Sequence, residues 1–340
     1  RQRQMCIRDR TFFVLNHVAI FSKENWPKEI VVNGSVLMDG KKMSKSMGNI
    51  VPLRGAIKKY GADPIRLSIL ISAELLQDAD FNVESVSGIK NKLETMYDEC
   101  TKLNNPGKIG TEPEDVWIQS RLSKLISEVT DSMEKMRIRE SLHHILYGFD
   151  SELQWYMKRA NAKNRDDISG VLNKILTTRV SMLSPFAPHI AEEMWEKLGK
   201  SNMVSKSSWP KQEEQTDDKA VQNESLLSSV MNDISNITKV TKITPTKIII
   251  YTANNWKSKA YHKILNGINS GETNVGTFIK ELISQKDTED VKKDPDFVKK
   301  TIKDILSEPT ELRKTKMHAC LLYTSPSPRD ATLSRMPSSA

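Results

Sequence analysis

The sequence predicts a multidomain protein of α/β plus α class. A short α/β segment leads, an antiparallel α-helical bundle follows, and a small α/β domain closes the chain. Three observations carry this. β-favouring runs flank an Asn-Gly dipeptide between Ile30 and Met38. Five apolar stripes at helical spacing lie between Ile89 and Leu198. The run Lys247-Ile248-Ile249-Ile250-Tyr251-Thr252 then precedes three more helical patterns. The 340 residues leave room for two or three cores, and 28% charged with 38% hydrophobic residues describes a globular chain. No apolar run approaches the roughly 18 residues of a membrane span.

The elements follow in order. Residues 1–10 lack hydrophobic periodicity and read as a non-native flank, as do residues 320–340; both look like translated sequencing-adapter sequence. The formal charge is +8. Arg1, Arg3, Arg8 and Arg10 against Asp9 supply +3 of it, and Arg329 and Arg335 against Asp330 supply +1, so the remaining chain carries +4. That mild basic bias is only a weak argument for a polyanionic partner. Excluding the flanks also removes Cys6 and Cys320. Cys100 alone remains, which allows no internal disulfide and no cysteine zinc site, and points to a reducing cytoplasmic location with no metal.

Residues 11–82 form the leading α/β segment. Thr11 to Phe21 is an apolar run that suits a buried strand or part of a core helix. Asn33-Gly34, between Ile30-Val31-Val32 and Ser35-Val36-Leu37-Met38, is a hairpin signal, because both turn positions tolerate positive φ. A short helix with Ile57 and Tyr60 on its apolar face ends at Gly61. Asp63 then reads as the N-cap of the next helix, with Pro64 at its first position.

Residues 83–210 read as the bundle. Its stripes are Ile89, Leu93, Met96, Tyr97 and Cys100; Ile118, Leu122, Leu125, Ile126, Val129, Met133 and Met136; Leu142, Ile145, Leu146, Phe149, Leu153 and Tyr156; Val171, Leu172, Ile175, Leu176 and Val180; and a fifth helix from Ile190 to Leu198. A polar linker, residues 211–223, separates it from the last domain, residues 224–319. There helices are read near Glu224 to Ile237, Ala260 to Leu265, Val275 to Ile283 and Asp296 to Leu306, with a strand at 247–252.

The chemistry concentrates in Gly40-Lys41-Lys42-Met43-Ser44-Lys45-Ser46-Met47-Gly48-Asn49. Lysine ammoniums are mobile point charges, serines are small donors, and glycines free the backbone. Such a loop suits a polyphosphate whose charge is redistributing, although composition alone favours a solvated surface turn.

Lys42-Met43-Ser44-Lys45-Ser46 is identical to the second signature loop of class I aminoacyl-tRNA synthetases. With Asn16 to Phe21, Trp26-Pro27, Tyr60-Gly61-Ala62-Asp63, Arg66, Trp155-Tyr156, Pro185 to Trp195 and Trp209-Pro210, the chain resembles the leucyl-tRNA synthetases of archaeal and eukaryotic cytosolic type. The resemblance spans Thr11 to Arg313. It implies a C-terminal part of that enzyme: the remnant of a Rossmann-type catalytic domain, an anticodon-binding bundle, and a tRNA-contacting C-terminal α/β domain, the last truncated.

The implied reaction joins leucine to tRNA(Leu) through leucyl-adenylate. Its substrates are leucine and ATP, with Mg2+ carried on the ATP. Lys42 and Lys45 would be catalytic. Lys42, Met43, Ser44, Lys45 and Ser46 would contact ATP, with Gly40 and Gly48 as hinges. Arg137, Arg139, Lys158 and Arg159 would meet tRNA phosphates. The implied protein is monomeric, with association with other synthetases as a further option, and binds no membrane. The family's first signature, of His-x-Gly-His type, is absent, so this chain alone is expected not to activate leucine. The alternatives are another aliphatic class I synthetase, for valine, isoleucine or methionine, and a non-catalytic tRNA-binding module.

Overall fold

A computed structural model describes residues 7–30, 34–103, 107–212, 217–242, 245–248, 255–271, 274–284, 291–292 and 294–307. The chain divides into two units, residues 1–216 and 217–340.

The first unit begins with α1 (Ile7–Ile20). The Thr11–Phe21 run is therefore helical, not a strand. Its core placement is not met within this chain: Phe12 is 58% exposed and Ile20 72%. Its apolar residues are spread around the helix rather than gathered in one stripe, which is why its periodicity gave no answer.

A three-stranded sheet follows, in the order β2-β1-β3. β1 (Val36–Met38) pairs antiparallel with β2 (Lys41–Lys42) and parallel with β3 (Ala79–Phe81). This corrects the hairpin. Leu37 has Lys42 on one side and Asp80 on the other, so no edge there is left for Ile30; Val31 to Asn33 lie outside the described residues. The tight turn is Asp39-Gly40, whose φ values of 47° and 72° are the positive pair a two-residue hairpin demands. Gly34 has a different task. A Cβ there would sit 1.9 Å from the Gln77 carbonyl oxygen, so only glycine lets the two backbones pass.

Helices α2 (Leu53–Tyr60) and α3 (Ala62–Ser72) meet at Gly61, φ 90°. Ala56, Ile65, Phe81 and Val86 are buried together beneath the sheet, with Met38, Val51, Tyr60 and Ile69 packed on them. Full burial of side chains such as Ile65 and Phe81 is worth about 1.5–3 kcal/mol each, enough to fix so short a sheet on its helices. Asp63 is not the N-cap of α3. It lies within the first turn, 4% exposed, and its Oδ2 accepts the Ile190 N–H at 2.7 Å. It therefore caps a different helix, α9 (Pro188–Lys197), whose own N-cap residue Ala187 has no side-chain acceptor.

The helical region holds α4 (Val83–Lys102), α5 (Pro113–Glu134), α6 (Ile138–His143), α7 (Asp150–Ala162), α8 (Ser169–Leu183) and α9. Asn82 caps α4, accepting from the Glu84 and Ser85 N–H groups. Most stripe residues are buried, among them Met96, Cys100, Ile118, Leu122, Ile145, Tyr156, Ile175 and Val180. Met136 is not: it follows the end of α5 with φ 56° and is 46% exposed.

The third stripe is broken. His144–Gly148 is a π-helical turn between α6 and α7. The fully buried Arg179 of α8 donates to the Ile145 and Leu146 carbonyls (both 3.0 Å) and to Asp150 Oδ1 (3.0 Å), and Lys92 also pairs with Asp150.

In the second unit the described residues form α10 (Asp218–Thr241), α11 (Asn255–Asn269), α12 (Val275–Ser284) and α13 (Pro295–Ser307). Tyr261, Ile264, Leu265, Phe278, Leu282, Val298, Ile302 and Ile305 share one core. Lys247 and Ile248 are in no regular element, and the rest of the expected strand lies outside the described residues. Here the described part is helical.

Candidate functional site: the lysine loop

The loop is built on the β1–β2 hairpin. Its turn is tied to β3 and to the start of α4. The Gly40 N–H donates to Asp80 Oδ1 (2.8 Å), the Asp39 N–H to the Phe81 carbonyl (3.4 Å), and Asn82 Nδ2 to Asp39 Oδ1 (3.3 Å). Behind it the Ser35 N–H donates to Asp78 Oδ1 (2.7 Å) and Asp80 N–H to Ser72 Oγ (3.1 Å). Three aspartates and an asparagine thus turn a short ladder into a stiff stem. The three aspartates accept hydrogen bonds as charged acceptors, the stronger kind.

From β2 the loop rises through Met43 and Ser44, half-buried, and turns over Lys45–Gly48, which are exposed. Ser44 Oγ accepts from the Met47 N–H (3.2 Å) and lies 3.2 Å from Ser46 Oγ; the Gly48 N–H donates to the Lys45 carbonyl (3.2 Å). Gly48, at φ 65°, closes that turn. Asn49 spans the base: its Oδ1 accepts the Ser44 N–H (2.9 Å) and its Nδ2 donates to the Lys42 carbonyl (3.1 Å). Lys42 and Lys45 are exposed, and among the described residues neither takes part in an ion pair. Lys41 is in the same state, so three exposed ammoniums without an ion pair among the described residues stand on one small folded loop. Such an arrangement can meet an anion chemically.

The four basic residues of the helical region are placed differently. Arg137 already bonds Asp131 Oδ2 and Glu140 Oε2, both at 2.8 Å. The Lys135 hydrogen bond, with burial opposing it and Arg137 adding to it, holds Asp131 below the usual carboxylate range. Arg139 is exposed beside Glu74, Glu140, His143 and His144. Lys158 is exposed, its Nζ 5.5 Å from the Trp155 ring centroid, while Arg159 is half-buried and engaged. The structure sets Arg137 and Arg139 at the start of α6 and the other two on α7. Arg137 is already shared between two carboxylates.

The lysines, serines and glycines were legible from sequence. Asn49, Asp80 and the Asp39-Gly40 turn were missed, although Asp-Gly is itself a hairpin signal. Asn33-Gly34 competed for the same role only six residues earlier.

Residues 11–105 match the family model described as tRNA synthetases class I (M), and residues 115–250 the one described as the anticodon-binding domain of tRNA ligase. A leucine–tRNA ligase of Methanococcoides burtonii is 34% identical over 86% of this chain and 31% of its own length. That of Methanocaldococcus jannaschii is 38% identical over 85% and 29%. The chain is a relative of the leucine–tRNA ligases. Pyrococcus horikoshii supplies another of that name, 37% identical over 73% of the chain. Among solved structures, the ternary complex of Agrobacterium radiobacter K84 agnB2 LeuRS with tRNA and LeuAMS has a TM-score of 0.48 at 23% identity, covering 62% of this chain and 27% of that one. This leucine–tRNA ligase relative spans about a third of the length of the curated relatives it matches.

Proposed function

We propose that this chain supplies the pyrophosphate-stabilising loop and the tRNA-binding helices of a cytoplasmic leucine–tRNA ligase. The observation that carries the reading is that Lys42 and Lys45, on a loop of class I signature sequence, are exposed and take part in no ion pair among the described residues. In the proposed first step a leucine carboxylate oxygen attacks the α-phosphorus of ATP. The bond from that phosphorus to the bridging oxygen breaks, giving leucyl-adenylate and pyrophosphate. Negative charge grows on the departing pyrophosphate, and preorganised cations placed there stabilise the transition state more than the ground state. Lys45 and Lys42 supply those cations. Ser44 and Ser46 shape the loop, half-buried Met43 anchors it, and Gly48 with Gly40 permits closure. Mg2+ arrives on ATP as part of the substrate.

In the second step the 2′-hydroxyl of the terminal adenosine of tRNA(Leu) attacks the leucyl carbonyl, and AMP leaves. The anticodon-binding match over residues 115–250 supports a tRNA role for the helices. Phosphate contacts from Arg139 and Lys158 would make affinity fall with salt. Replacing Lys45 with alanine in a full-length ligase containing this chain should lower leucine-dependent ATP–pyrophosphate exchange by about 10²–10³ while changing ATP affinity far less. Equal losses in rate and ATP affinity would refute the transition-state role.

A further inference from the structure

We propose that Asn49 is a positioning residue, whose single side-chain amide closes the lysine loop and holds Lys45 over the pyrophosphate. Its Oδ1 and Nδ2 meet one backbone donor and one backbone acceptor, the Ser44 N–H and the Lys42 carbonyl. The orientation of the amide is set by chemistry, since an N–H must find oxygen and a carbonyl must find N–H. The side chain therefore imitates the next rung of a strand beyond Lys42, where β2 ends. Met43 to Gly48 are left as a small ring hung from Lys42 and Asn49. Within it the Ser44–Met47 and Lys45–Gly48 bonds take up the slack. No residue other than asparagine or glutamine carries both groups on one planar end, and glutamine's extra methylene would widen the ring.

The inference rests on reading the loop as a pyrophosphate clamp, and the test separates the two. The 340-residue chain, its Asn49→Ala and Asn49→Asp variants, and Lys45→Ala are titrated with inorganic pyrophosphate by calorimetry. In parallel, tryptic cleavage after Lys42 and Lys45 is timed by mass spectrometry. Asn49→Ala should weaken pyrophosphate by about fivefold or more and speed cleavage by a similar factor, with an unchanged thermal midpoint. Asn49→Asp keeps the acceptor for Ser44 but not the donor to Lys42, so its cleavage rate should fall between the other two. Wild-type rates and affinity in Asn49→Ala overturn the proposal. A wild-type chain that binds no pyrophosphate overturns the clamp reading instead, and the cleavage rates still decide whether Asn49 closes the loop.

Discussion

At the scale of single residues, close approach and burial decide more than residue type. Gly170 opens α8 where residues 107–110 cross it, and a Cβ there would lie 2.3 Å from the Lys108 carbonyl oxygen. Gly170→Ala should destabilise the first unit by about 1–3 kcal/mol in urea unfolding, because backbone and not a pliable side chain must move. Cys100 is fully buried on α4, and burial, reinforced by the charge of Glu99, pushes its thiol up to about 12. The thiolate is the reactive form. Peptide mapping after iodoacetamide at pH 8 should find Cys100 unmodified in the folded chain and alkylated in urea.

At the scale of elements, the π-turn is the part of the helical region that depends on one side chain. Arg179 satisfies two carbonyls, those of Ile145 and Leu146, and contacts Asp150, all from a fully buried position. Arg179→Met keeps much of the volume and removes every donor, leaving two buried carbonyls short at about 1–3 kcal/mol each. Amide exchange should quicken first across residues 144–150, and unchanged protection there would show that the turn is held otherwise. The sequence could not announce this turn. Leu142, Ile145, Leu146 and Phe149 keep helical spacing through it, and the guanidinium that holds it lies some thirty residues away on α8. The same limit explains Asp63. Its position beside Pro64 suits a local cap, while its actual acceptor role serves Ile190, far along the chain. A local signal such as Gly61 was readable because both the cue and its partner, the Ile57 carbonyl, lie within one turn. The lysine loop was legible in its residue order and neighbours, but its clamp was not, since Asn49 looks like any loop asparagine until Lys42 and Ser44 are seen beside it.

At the scale of the whole molecule, the charge buried in the first unit governs its response to acid. Glu114 and Asp115 are fully buried and meet Arg165, with Lys163 on Glu114 and the Tyr156 hydroxyl donating to Asp115 (2.6 Å). Burial works to raise Glu114, but hydrogen bonds from Lys163, its own backbone and Arg165 outweigh it and leave it below the ordinary 4.5. Glu152 behaves alike: burial raises it, and Arg121 with Ser151 brings it lower. A carboxylate lowered in the folded state gives stability that is fully present above its unfolded value. That stability is lost as pH falls through the folded one. The urea midpoint should therefore hold from pH 7 toward 4.5 and drop below it, with a shallower drop in Glu152→Gln. Arg165→Ala, which leaves buried Asp115 without a cation and Glu114 with Lys163 alone, should cost about 3–5 kcal/mol at pH 7.

The parallel pairing of β1 with β3 has a consequence for the order in which the protein is made. The strand that carries the lysine loop, at residues 36–38, must wait for residues 79–81 before its outer edge is filled. Contacts so separated along the chain form late, because the intervening segment must first be closed at an entropic cost. On a translating ribosome the loop emerges before Asp80 and Asn82, the residues that brace its stem. Its three lysines are therefore exposed on an unbraced segment for the time needed to synthesise α2 and α3. Pulse-labelled amide exchange during refolding should accordingly find α4 and α5 protected before Gly40 and Ser44.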